Sequence, residues 1–264
     1  MDLEEKKSKL EGILRGMGSV LVAYSGGIDS ALLSYMARQV LGDCMLAVTA
    51  QSPSVAHVEL EHAVDFARRF GIPHRLVPTR EMENPSYAHN PVNRCFYCKE
   101  ELYSALTTLR EELQFRHIAD GSHAGDRLDD RPGMAAALNR GVRSPLREAG
   151  LIKSELRDMA KELGLSVWDK PSSPCLSSRV PHGIPITPEK LSQVDRAESV
   201  LRGLGFKVFR VRHHDELARI EVAPEELPRL LDVKLFEYVA GQLRNIGYRH
   251  VTLDMQGYRS GGDS

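Results

Sequence analysis

The chain is poor in the features of a secreted, membrane-spanning or nucleic-acid-gripping protein. Four cysteines in 264 residues, behind the charged start Met1-Asp2-Leu3-Glu4-Glu5-Lys6-Lys7, do not make a disulfide framework. No apolar run reaches the roughly 18 residues that a membrane-crossing helix needs. Thirty-five basic against 36 acidic residues lack the excess expected of a protein that holds tRNA. The expected setting is the cytoplasm, with no membrane and no nucleic acid among the partners. Internal repeats and low-complexity stretches are absent. So is a Walker-type phosphate loop, because no Gly-Lys-Ser/Thr closes the glycine turn near the N-terminus.

What that turn does contain organises the chain. The apolar run Val20-Leu21-Val22-Ala23-Tyr24 leads into Ser25-Gly26-Gly27-Ile28-Asp29-Ser30 and then Ala31-Leu32-Leu33-Ser34-Tyr35-Met36. This reads as strand, tight turn and helix start. A helix start offers unpaired N–H groups and the positive end of the dipole, so it favours phosphate. Gly26 and Gly27 permit close backbone approach, and Ser25 and Ser30 add hydroxyls. Asp29 suits a magnesium ion riding on the phosphates.

Further along, Met45–Thr49 and His74–Pro78 read as strands and Val55–Phe70 as a helix. His117–Asp120 is a strand opening onto Gly121-Ser122-His123-Ala124-Gly125-Asp126-Arg127, where Asp126 is a candidate second carboxylate near the metal. A loop and helix follow from Asp129 to Arg143. The alternation predicts βαβ units, a parallel sheet, and ligands beyond its carboxyl edge. Five prolines between Pro171 and Pro188 forbid regular structure and mark a boundary. We expect domains at 1–183 and 184–264, the second with helix, strand, strand, helix and strand in that order. That order suggests an antiparallel sheet under helices, ending in a loose tail from Tyr258. The fold class is α/β with a small C-terminal α+β domain.

Three cysteines need a chemical account. Cys95 and Cys98 form a C-x-x-C ahead of a helical pattern, and Cys175 lies in the proline-rich segment. A closed zinc site wants four ligands, a dithiol would be a redox pair, and three thiolates can hold an iron–sulfur cluster with one iron open. Cys44 reads as a small buried residue. In the C-terminal segment, Arg210, Arg212, His213 and His214 form a basic cluster. Strand alternation puts the two arginines on one face, where a phosphate or only solvent would meet them.

The six-residue turn resembles the PP-loop of the ATP pyrophosphatases, which include GMP and NAD synthetases and tRNA-thiolating enzymes. With Cys-x-x-Cys-Lys, Asp-Gly-Ser-His-Ala, Trp168-Asp169-Lys170-Pro171 and Cys175-Leu176-Ser177-Ser178-Arg179, the chain resembles the LarE family. The resemblance implies a PP-loop-like parallel sheet and cleavage of ATP to AMP and pyrophosphate, with Mg²⁺. It further implies adenylation of a carboxylate on a pyridinium mononucleotide and sulfur replacing AMP, for nickel-pincer cofactor synthesis. Ser25, Gly26, Gly27, Asp29, Ser30, Thr49, Ala50 and Asp126 would bind the nucleotide and its metal. Cys175 and Asp29 would be catalytic. Cys95, Cys98 and Cys175 together match the family version that carries a [4Fe–4S] cluster, as opposed to the version that consumes the sulfur of its single cysteine. Arg179, Arg210 and Arg212 would face the substrate phosphate, Glu198 and Glu221 resemble metal carboxylates, and a homo-oligomer, trimer or hexamer, is expected. The competing readings are a tRNA-thiolating enzyme and a non-catalytic adenine-nucleotide sensor.

Overall fold

The computed structural model describes residues 2–126, 132–171 and 173–259. Arg127, the start of the Asp129–Arg143 segment, Ser172 and the tail after residue 259 lie outside the described residues. The chain clusters into two compact units, Met1–Glu81 with Asn93–Ser173, and Met82–Val92 with Pro174–Ser264.

The first unit is a parallel sheet with helices on both faces. Its elements are α1 (Leu3–Met17), β1 (Val20–Ala23), α2 (Ile28–Leu41), β2 (Met45–Gln51), α3 (His57–Arg69), β3 (His74–Pro78), α4 (Arg94–Glu112), β4 (His117–Ala119), α5 (Pro132–Asn139) and α6 (Lys153–Glu162). The strand order is β3-β2-β1-β4, all parallel, with Val20 opposite both Met45 and His117. Burial on both faces is why β1 reads as an unbroken apolar run. Val20 and Val22 pack with Leu10, Leu14, Leu32 and Met159, whereas Leu21 and Ala23 pack with Tyr103, Leu106 and Ile118. Each fully buried leucine contributes roughly 1.5–3 kcal/mol.

Local chemistry sets the helix ends. Asp2 and Glu5 form a reciprocal capping box on α1, and Gly18 ends it with φ +70°. Gly12 sits exposed inside the same helix with open space where a Cβ would lie. Gly12→Ala is therefore expected to raise unfolding stability by about 0.5–1 kcal/mol, read by denaturant titration.

The second unit holds α7 (Pro188–Gly203), β5 (Phe209–His214), β6 (Leu217–Val222), α8 (Val233–Ile246) and β7 (His250–Leu253). Its sheet is mixed: β5 and β6 are antiparallel, but β6 and β7 run parallel, which corrects the expected antiparallel sheet. The connection from β6 to β7 passes through α8, and a helical crossover returns the chain in the same direction. The single helix expected between the last two strands is also broken, into Pro224–Glu226, Leu227–Leu230 and Val233–Ile246. Pro228 removes an N–H in its interior, and Asp232 accepts from Leu235 N at 2.9 Å to start α8 afresh. Residues 82–92 join this unit through Asn90, fully buried with φ +57°, whose amide donates to the carbonyls of Val180, Pro181 and Ile184.

Candidate active site

The order β3-β2-β1-β4 reverses direction at β1, so the crevice beyond the carboxyl ends of β1 and β4 is the natural ligand position. The Ser25–Ser30 loop leaves β1 there. Ser30 Oγ accepts from Ser25 N at 3.1 Å and donates to Gly27 O at 3.1 Å, closing the loop on itself. Gly26 has φ +72°, a conformation open to glycine, and α3 approaches so closely that a Cβ would meet the Ala63 methyl at 3.2 Å. Gly27 is the N-cap of α2 and contributes no side-chain cap. The loop after β4 presses on the same helix start. A Cβ on Gly121 would lie 2.8 Å from Ser30 N.

Ionic contacts surround this cradle. Lys153 Nζ donates to both carboxylate oxygens of Asp29, each at 2.7 Å. Lys170 Nζ donates to Gly26 O at 3.1 Å and to Glu59 at 2.7 Å. Burial pushes the Glu59 carboxyl up, but hydrogen bonding to and the charge of Lys170 outweigh it and hold Glu59 below the usual range. Asp126 is buried, accepts from His123 N at 3.0 Å and lies 3.4 Å from His123 Nε2. Asp120 accepts from Tyr103 Oη, Ser122 Oγ and Ser144 Oγ at 3.2, 2.9 and 2.7 Å. Burial and then Asp120 raise the Tyr103 hydroxyl, which stays protonated.

The loop borders two cavities. One, of about 400 Å³, runs from Ser25, Gly27 and Asp29 to Cys95, Lys99 and Tyr103. The other, of about 470 Å³, is lined by Asp29, Glu59 and Asp126 and by Lys153, Arg157 and Lys170. An uncapped helix start, a close backbone cradle and a carboxylate already holding a cation fit a metal-bound polyphosphate.

In the second unit, Cys175 is half-buried before a single 3₁₀ turn, Leu176–Arg179. Its carbonyl accepts from Ser178 Oγ at 2.8 Å and Arg179 Nη1 at 3.0 Å. Arg179 pairs with both oxygens of Glu198 at 2.8 and 3.0 Å, both side chains buried. Arg212 pairs with Glu221 at 3.0 Å and donates to Ser178 O at 2.9 Å. Arg210 lies 4.9 Å over the Tyr258 ring. Burial, then the neighbouring Arg179, push its guanidinium down.

Comparison with known proteins decides the family. The pyridinium-3,5-bisthiocarboxylic acid mononucleotide synthase of Lactiplantibacillus plantarum is 38% identical over 98% of this chain and 94% of its own length. The chain belongs to the LarE family, ATP-dependent sulfurtransferases on a PP-loop domain. The family model described as NAD synthase matches residues 7–95 of this LarE chain. An uncharacterized protein of Synechocystis is 48% identical over 97% of the chain and 96% of its own length. A glutamine-hydrolyzing GMP synthase component from Thermoplasma acidophilum is 27% identical over 70% of the chain and 63% of its own length.

Of the residues expected in this LarE site, Ser25, Gly27, Asp29 and Ser30 share a cavity with Cys95, and Asp126 shares the other cavity with Asp29. Thr49 is spent on structure, donating to Tyr24 O at 2.7 Å, and neither it nor Ala50 borders either cavity. Glu198 and Glu221 serve arginines. His213 turns away from the two arginines to Tyr248 Oη at 3.1 Å, and burial, then Lys190, lower its ring so that it is neutral and no part of a basic cluster. Cys44 is exposed, contrary to expectation, because it ends a 3₁₀ turn before β2.

Cys95, Cys98 and Cys175 lie in no disulfide, and as thiolates they would be chemically suited to iron. Among the described residues, however, no group of three or more Cys, His, Asp or Glu is gathered to hold a metal ion. Lys99, Lys153, Arg157, Lys170 and Glu59 were missed from the sequence. The signals were Lys99 within Cys-x-x-Cys-Lys and Lys170 within Trp168-Asp169-Lys170-Pro171. Among the described residues no helix is long and apolar enough to cross a membrane.

Proposed function

We propose that this chain adenylates a carboxylate of a pyridinium biscarboxylate mononucleotide with ATP, releases pyrophosphate, and replaces AMP by sulfur to give a thiocarboxylate. The product serves nickel-pincer cofactor synthesis. A carboxylate is a poor electrophile with a poor leaving group, and adenylation supplies AMP to leave. The observation that carries the reading is Cys95 in one cavity with Ser25, Gly27 and Asp29, a thiol beside the nucleotide loop. The N–H groups at Gly26 and Gly27 with the Ser25 and Ser30 hydroxyls would hold phosphate, and Asp29, with Asp126 nearby, the Mg²⁺.

Arg179 holds the Cys175 carbonyl, Arg212 holds the Ser178 carbonyl, and Arg210 lies close enough to Arg179 to feel its charge. Three guanidinium groups gathered about the Cys175 turn support a phosphate of the mononucleotide there. Exposed Leu231, Val233, Phe236 and Tyr238 support a homo-oligomer, trimer or hexamer, built by the C-terminal unit.

The [4Fe–4S] cluster on Cys95, Cys98 and Cys175 stays a proposal, resting on three cysteines that lie in no disulfide and on the family's three-cysteine pattern. Its test is the double variant Cys95→Ala/Cys98→Ala, assayed for thiocarboxylate and for the intact mass of the protein. Loss of product with Cys175 unaltered is expected. Retained product with Cys175 converted to dehydroalanine overturns the cluster and leaves the sulfur transfer standing.

A further inference from the structure

Asp29 is the carboxylate offered to a metal, yet both of its oxygens are occupied by one ammonium. Lys153 Nζ sits 2.7 Å from each. A metal ion arriving alone would have to displace that ammonium and leave it without a partner. A metal arriving on a polyphosphate brings the cation that Asp29 needs and the anion that Lys153 needs.

The rest of the cavity is arranged for such an exchange. Lys170 is largely buried, tied to Glu59 and to Gly26 O, and cannot leave without stranding a carboxylate. Asp126 is satisfied by His123. Arg157 stands one turn after Lys153 on α6, borders the same cavity, and is paired with no carboxylate among the described residues. Lys153, by contrast, is half-exposed at the first position of α6 and can swing. Of the described cations lining this cavity, Lys153 and Arg157 can therefore turn to phosphate oxygens without a cost in unpaired buried charge.

We propose that Lys153 is a placeholder cation on Asp29 and becomes, with Arg157, a ligand of the nucleotide's polyphosphate when the metal arrives with it. This deepens the proposed ATP-dependent reaction and rests on it. The consequence is selectivity. Free divalent metal is held off Asp29, and metal and nucleotide bind as a unit.

The test is a Mn²⁺ titration of nucleotide-free protein by electron paramagnetic resonance, with MgATP affinity by calorimetry. Lys153→Met, read beside Lys153→Gln, is expected to bind Mn²⁺ alone about two- to fivefold tighter, since a half-exposed ion pair is removed. It should bind MgATP about tenfold more weakly, because a charge-assisted bond is lost. Lys153→Arg should keep the MgATP affinity, and adding Asp29→Asn to Lys153→Met should abolish the gained Mn²⁺ binding. Unchanged or weaker Mn²⁺ binding in both Lys153 variants, or unchanged MgATP affinity, overturns the exchange. A wild-type protein that released no pyrophosphate with the mononucleotide would count against the proposed reaction and leave these two titrations as they stand.

Discussion

Asp29→Ala is expected to slow pyrophosphate release by roughly 10²–10³-fold, the scale for removing one group that stabilises charge at a reacting centre. Among the described residues its carboxylate is the one acidic group shared by both cavities around the loop. The alanine leaves Lys153 with no carboxylate and gives the metal no first ligand. Stability should change by less than about 1 kcal/mol, because the pair with Lys153 is partly exposed. The two readouts are a pyrophosphate assay and a thermal melt on the same preparation. A variant that turns over at the wild-type rate would remove Asp29 from the chemistry. One that melts far below wild type would make the loss structural.

Gly121→Ala should damage both fold and site, through sterics alone. The added methyl would lie 2.8 Å from Ser30 N and 3.1 Å from Asp29 C and Ser30 Cα. These are backbone atoms of the first turn of α2, so no side chain can rotate away. The helix start must shift from the β4 loop, at a cost of about 1–3 kcal/mol. The shift spoils the N–H geometry that would meet phosphate, so stabilisation by MgATP should fall along with the melting temperature. The contrast with Gly12, where a methyl meets nothing, isolates the cause. A Gly121→Ala protein whose melting point rises with MgATP as much as wild type would show that the cradle tolerates the methyl.

The strand, loop and helix from Val20 to Met36 were legible because their determinants are local. They are an apolar run, two glycines of which Gly26 takes φ +72°, and hydroxyls that bond within six residues. The β4 loop was legible for the same reason. The cations were not. Lys153 meets Asp29 across 124 positions and Lys170 meets Glu59 across 111, and in sequence each resembles an ordinary solvated lysine. Glu198 and Glu221 show the converse, since a carboxylate does not announce which cation it will find, and here both found arginines. The direction of β7 was readable in principle from the helix before it. It was misjudged because strand order alone was weighed.

In the proposed reaction this LarE chain cleaves ATP between the α and β phosphates to activate a carboxylate for sulfur. The direct measurement is ³¹P NMR and mass spectrometry of the products formed by oxygen-free protein from MgATP and pyridinium-3,5-biscarboxylic acid mononucleotide. AMP and pyrophosphate are expected, appearing together with a nucleotide in which sulfur has replaced a carboxylate oxygen. ADP and orthophosphate, or ATP left intact while the substrate is present, would contradict it.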